Sequence, residues 1–146
     1  MRRSRILTLT TRYADLFGRL TPNRLDELGD LLSPDVVFTD PFNVIEGPAQ
    51  FIAVFEHMFE VMVEPRFHIE DISASDKAGY IKWRMTGRLK KKPDLTIDII
   101  GMSEVTFAAD GTLLCHIDHW DSASQLLSRL PVVGVFVRKL MRLFEV

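Results

Sequence analysis

The chain has a single cysteine, Cys115, among 146 residues, which excludes an intrachain disulfide and any cysteine-rich zinc site. Charge of one sign is also scarce: the formal net charge is -2, and the one internal basic run is Lys90-Lys91-Lys92. Phosphate recognition needs a concentrated positive face, so no nucleic-acid partner is expected. The run precedes Pro93-Asp94 and reads as a solvated hairpin tip. Long apolar stretches are missing as well, since none reaches the ~20 residues needed to span a bilayer. The basic start Met1-Arg2-Arg3-Ser4-Arg5 continues into Thr8, Thr10, Thr11, Arg12 and Asp15 rather than into the apolar centre of an export signal, and a cytoplasmic location is expected. There is no internal repeat, low-complexity tract or linker.

What is present is material for one core. With 47% hydrophobic and 26% charged residues, the composition fits a single domain over 1–146. Ile6, Leu9, Tyr13, Leu16, Phe17 and Leu20 recur at three- and four-residue steps and predict an amphipathic helix. Pro22 opens a second, with Leu25, Leu28, Leu31 and Leu32 as its stripe and Ser33-Pro34 as its stop. A first strand is expected from Asp35 to Thr39. It ends on Asp40-Pro41, and after a tight turn Gly47-Pro48 opens a third helix carrying Phe51, Ile52, Phe55, Met58, Phe59 and Met62, which stops before Pro65.

Four strands are expected to follow. They are Arg66 to Ser75, Gly79 to Leu89 with Ile81, Trp83 and Met85 alternating against Lys82, Arg84 and Thr86, Leu95 to Phe107, and Leu113 to Trp120 after the Asp110-Gly111 turn. Helices first and an antiparallel meander after them predict an α+β domain, its helices packed on one face of a curved sheet. Residues 122–146 form a helical extension: a short helix over Ser122 to Arg129 and, past Pro131, an apolar one with Arg138, Lys139 and Arg142 on its polar side. Packing on its own domain or across a dimer is the preferred reading of this last helix. A membrane surface is the alternative.

Arg12-Tyr13, Thr39-Asp40-Pro41, Gly47 and His119-Trp120-Asp121, in this order and spacing, resemble the family of ketosteroid isomerase, SnoaL-like polyketide cyclases and nuclear transport factor two. The resemblance runs from Arg12 to about Asp121. It implies a cone: a strongly bent antiparallel sheet wrapped around three N-terminal helices, with a pocket between the layers. In the isomerases, an aspartate at the first Asp-Pro turn removes a proton beside a carbonyl, while a tyrosine and a protonated acid bind the enolate oxygen. On this resemblance Asp40 matches the base and Tyr13 the tyrosine. The neutral acid is replaced by Ser103, a weaker donor, and losing one oxyanion donor typically costs ~100- to 1000-fold in turnover.

Alternation in the last strand sets Leu114, His116, Asp118 and Trp120 on one wall, against Cys115, Ile117 and His119. The resemblance turns that wall into the pocket. Asp118 and Arg84 also match an acid and an arginine of limonene epoxide hydrolase, although Thr86 stands where its second aspartate would be. The expected catalytic set is therefore Asp40, Asp118, Tyr13 and His116, with Phe38, Phe55, Arg84, Ser103 and Trp120 contacting the ligand. Competing readings make Asp40 a turn cap, Tyr13 a core residue, Arg84 a solvated edge residue, and Trp83 core or pocket wall.

His116 and His119 fall on opposite faces, and neither His57 nor His68 has a ligand neighbour at metal spacing, so no metal and no cofactor are expected. Cys115 has no evident activating partner. The expected function is binding of a hydrophobic small molecule with cofactor-independent acid-base chemistry of isomerase, cyclase or epoxide or lactone hydrolase type. The alternative is a non-catalytic ligand-binding or dimerising domain. A homodimer is the expected assembly.

Overall fold

The structure, a computed structural model, describes residues 2–146. The first apolar stripe forms helix α1 (Arg2–Gly18), which buries Tyr13, Ala14, Leu16 and Phe17. A 3-10 turn at Pro22–Arg24 leads into the short α2 (Leu25–Gly29). Here the second predicted helix is cut short. Leu32, Ser33 and Pro34 belong to strand β1 (Leu32–Thr39), whose pairing is irregular between Leu32 and Val37. The proline thus sits where the ladder is broken and no amide donor is required.

The segment expected to be only a turn contains a three-residue edge strand, β2 (Val44–Glu46), paired antiparallel with β1. Gly47, at φ 85, sits immediately before helix α3 (Pro48–Val61), a backbone angle that favours glycine. Strand β3 (Met62–Ala74) begins directly after α3 and runs through Pro65. Its register breaks between Val63 and Arg66, Glu64 has φ 49, and the strand lies at the sheet edge, all of which let a proline pass. Strands β4 (Gly79–Leu89), β5 (Lys92–Phe107) and β6 (Leu113–His119) follow as expected, with Lys90 and Lys91 exposed in the β4–β5 turn.

The six strands are ordered β2-β1-β6-β5-β4-β3. The sheet is mixed rather than wholly antiparallel, because β1 pairs with β6 in parallel, Phe38 opposite His116. The four later strands form the expected antiparallel meander, and β1 joins it at β6, from which it is separated by most of the chain. The concave face is covered by α1, α2 and α3, giving the α+β cone. Aromatic rings dominate the core, with Phe17, Phe38, Phe51 and Phe55 packed ring to ring.

Past β6, helix α4 (Ser122–Gln125) is capped by Asp121, which accepts a hydrogen bond from the Ser124 amide at 3.0 Å. The Gln125 side chain then completes the ladder where β6 has left: it accepts from Ile100 N at 2.8 Å and donates to Ile100 O at 2.9 Å. A 3-10 turn at Leu127–Arg129 leads to helix α5 (Val133–Met141). Of the two packing partners expected for this helix, its own domain or a second copy, the domain covers only the strip at Gly134 and Arg138, which meets the Ser128 carbonyl. Val132, Val133, Phe136, Leu140, Leu143 and Phe144 are all exposed. Among the described residues, no helix is long and apolar enough to cross a membrane.

Candidate functional site

Between the helices and the inner sheet face lies a cavity of about 360 Å³, a size typical of small-molecule sites. Phe38 of β1, Phe55 and Met58 of α3, Trp83 and Met85 of β4, Ile97 and Ile99 of β5, and Trp120 line it. Leu126 and Leu130, from the segment after β6, close one side. The only charged side chains in the lining, among the described residues, are Asp40 and Asp118.

The two acids are held differently. Asp40 Oδ1 accepts from the amides of Phe42 at 2.7 Å and Asn43 at 2.6 Å, and the Asn43 side chain donates to both of its oxygens at 3.0 and 3.1 Å. This is the turn-forming role of an aspartate before proline. Asp118 Oδ1 accepts from Ser103 Oγ at 2.5 Å and from His116 Nε2 at 2.7 Å. Behind those donors stand two more. Trp83 Nε1 donates to Ser103 Oγ at 2.8 Å, and the Tyr13 hydroxyl meets His116 Nδ1 at 2.7 Å.

Donor directions follow from the carboxylate. An ionised carboxylate only accepts, so His116 donates to Asp118 from Nε2, and its Nδ1 on the far side faces the Tyr13 hydroxyl. Burial, followed by the nearby Asp118 charge, pushes the Tyr13 phenol well above its ordinary value and keeps it protonated as a donor. Two hydrogen-bond chains, Tyr13 to His116 and Trp83 to Ser103, therefore converge on one oxygen of Asp118. Its other oxygen, Oδ2, accepts no protein hydrogen bond among the described residues.

Several expected site residues lie elsewhere than anticipated. Tyr13, His116 and Ser103 are buried at 1%, 0% and 1% exposure and stand behind the cavity wall, with their polar atoms occupied by one another and by Asp118. None of the three is in the cavity lining, and the aromatic rings of Phe38 and Phe51 stand against His116 at 5.0 and 5.9 Å. Arg84 is outside altogether. It forms a two-pronged pair with Asp98 at 2.6 Å on the exposed sheet face and holds that carboxyl below its ordinary range, chiefly through the hydrogen bond. Asp40, Asp118, Phe38, Phe55 and Trp120 do line the cavity.

Two features escaped sequence reasoning. The Trp83 indole is a donor as well as wall, and Gly101, its cross-strand partner, makes room for it: a Cβ there would come within 2.5 Å of the ring. A glycine in mid-strand is the signal that could have revealed this close approach. The second is the alternation of β6, which breaks near Leu114. A register shift opposite Thr106 and Phe107 puts Leu113 in the core and Leu114 outside, while His116 and Asp118 keep the inward phase. His119 points outward to Glu104 at 3.4 Å. No group of three or more His, Cys, Asp or Glu among the described residues is arranged to hold a metal.

The family model of the SnoaL-like domain matches residues 11–116, and the chain belongs to that family. No curated protein sequence matches it. Among solved structures, it is similar to one named as a SnoaL-like polyketide cyclase from Jannaschia sp. CCS1, at 19% identity and TM-score 0.71 over 86% of this chain and 96% of that one. AclR from Streptomyces galilaeus, named as a hydroxylase, aligns at 16% identity and TM-score 0.67 over 96% and 93%. An NTF2-like protein of unknown function from Exiguobacterium sp. 255-15 aligns at 18% and 0.66 over 77% and 98%. At these identities the likeness establishes the cone fold alone.

Proposed function

We propose that the chain binds a compact hydrophobic molecule in the cavity and that Asp118 accepts a proton from it, without a cofactor. The observation that carries this reading is the Oδ2 of Asp118, unpartnered among the described residues, in a hollow that is apolar apart from the turn-bound Asp40, with Oδ1 fixed by Ser103 and His116. A base held at one oxygen and free at the other keeps its aim on the ligand. Trp83 and Trp120 supply flat apolar walls suited to a ring.

The kind of proton follows from what the lining lacks. Tyr13, His116, Ser103 and Trp83 spend their donors on the Asp118 network, which leaves the Trp120 indole as the one side-chain donor in the lining without a partner among the described residues, and no pair of donors for an oxyanion. Without one, an ordinary ketone enolate is poorly stabilised. The site suits a carbon acid that spreads negative charge over its own carbonyls, such as a cyclic β-keto ester. A cyclase acting on a polycarbonyl ring precursor, the activity named for the Jannaschia neighbour, has this character.

The test is turnover and deuterium exchange on a panel of cyclic β-keto esters, simple cyclic ketones, lactones and epoxides, with binding followed by Trp83 and Trp120 fluorescence. Asp118→Asn should retain binding and lose exchange. Binding without turnover in the unmutated protein would favour a carrier of the same ligand class, and turnover unaffected by Asp118→Asn would remove Asp118 from the chemistry. Self-association through the outer sheet face, where Ile100 and Met102 are exposed, completes the proposed assembly, and Met102→Lys should abolish it in sedimentation.

A further inference from the structure

Helix α5 and the 3-10 turn after it (Arg142–Phe144) carry an apolar surface that nothing among the described residues covers. At about 100° per residue, Val132, Val133, Phe136, Leu140, Leu143 and Phe144 share one side of the helix. Phe136 is 66% exposed and Phe144 86%. The helix meets its own domain through a different strip. Gly134 is buried so closely against the Ser128 carbonyl that a Cβ would lie 2.3 Å from it, and Arg138 donates to the same carbonyl. The attachment is therefore at one edge and the apolar side is left facing out.

Charge says what would cover it. From Arg129 onward the sequence holds Arg129, Arg138, Lys139 and Arg142 against the single acid Glu145, in a chain whose formal net charge is -2. Lys139 and Arg142 are exposed beside the apolar side. A second copy of the helix, packed face to face, would bring a second cationic set against the first. An anionic lipid surface instead takes the apolar side among its acyl chains and the cations at its headgroups.

We propose that residues 129–146 dock the protein on anionic membrane surfaces, with α5 lying in the interface plane. The segment is far too short to span. Because Leu126 and Leu130 are part of the cavity wall, a docked chain holds its cavity next to the bilayer.

The experiment is flotation of the full chain with vesicles of phosphatidylcholine alone or mixed with phosphatidylglycerol, at low and high salt. Binding should be ~10-fold or more stronger to the anionic vesicles and fall with salt. Phe136→Ser with Phe144→Ser should remove it. Lys139→Gln with Arg142→Gln should bring it down to the level on neutral vesicles. Circular dichroism of each variant checks that the exposed substitutions leave the fold intact. A chain that stays with the soluble fraction on both vesicle types overturns the proposal, as does binding that the double phenylalanine variant retains. Concentration-dependent dimerisation abolished by that same variant, without vesicle binding, would assign the surface to a second copy instead.

Discussion

Asp40 and Asp118 line the same cavity, yet one is held by main-chain amides and its neighbour Asn43, the other by a buried chain of side chains. The difference teaches where to look for chemistry. Donors from a turn fix the backbone and use the carboxylate for structure. Side-chain donors from Ser103 and His116, the latter backed by the sequence-distant Tyr13, converge on one oxygen, fix the carboxylate and leave the other oxygen free.

The contrast can be broken most directly at Asp118. Asp118→Asn keeps the shape and the Oδ1 acceptor, and turnover should fall by ~100- to 10,000-fold, the usual share of a general base. Loss of the supporting chain should appear as stability. His116→Leu strands the Tyr13 hydroxyl and removes one Asp118 donor, at a cost of about 2–4 kcal/mol in denaturant unfolding.

Tyr13 sharpens the comparison through pH. Its phenol is pushed up in the folded state, so the folded protein holds that proton more tightly than the unfolded chain does. The stabilisation is complete below pH ~10 and is lost as pH rises beyond it, by about 1.4 kcal/mol per pH unit from this one group. Tyr13→Phe should be less stable at neutral pH and show a shallower alkaline decline in melting temperature. Asp40 should give the smallest effects. Asp40→Ala should cost about 1 kcal/mol by removing the turn cap, and Asp40→Asn, which can still form the turn, should leave turnover within a few-fold. A collapse of turnover in Asp40→Asn would reverse the roles of the two acids.

The fold was legible because period and punctuation agreed. Tyr13 and Phe17 kept a helical step, and β4 alternated cleanly. What was not legible arose from pairings that only the tertiary structure makes. Pro65 could enter β3 because that strand is an edge with a bulge, and Pro34 entered β1 at a gap in the ladder. At the site, the resemblance led to the acids and to the inward phase of β6. It could not tell that Tyr13 and His116 would use up their polar atoms on each other and on Asp118. Arg84 was misassigned by analogy even though its strand phase opposed Trp83, and that local pattern was the better guide.

The parallel pairing of β1 with β6 has a consequence for how the chain matures on the ribosome. Tyr13 and His116 are 103 positions apart, so while the first helices and β1 have been synthesised, the strand that brings the acid, the imidazole and the far wall of the hollow is still to come. Contacts this distant in sequence form late and slowly. A nascent chain stalled before Leu113 would display Phe38 and the α1 aromatics without their neighbour, a sticky intermediate of the kind that holding chaperones recognise.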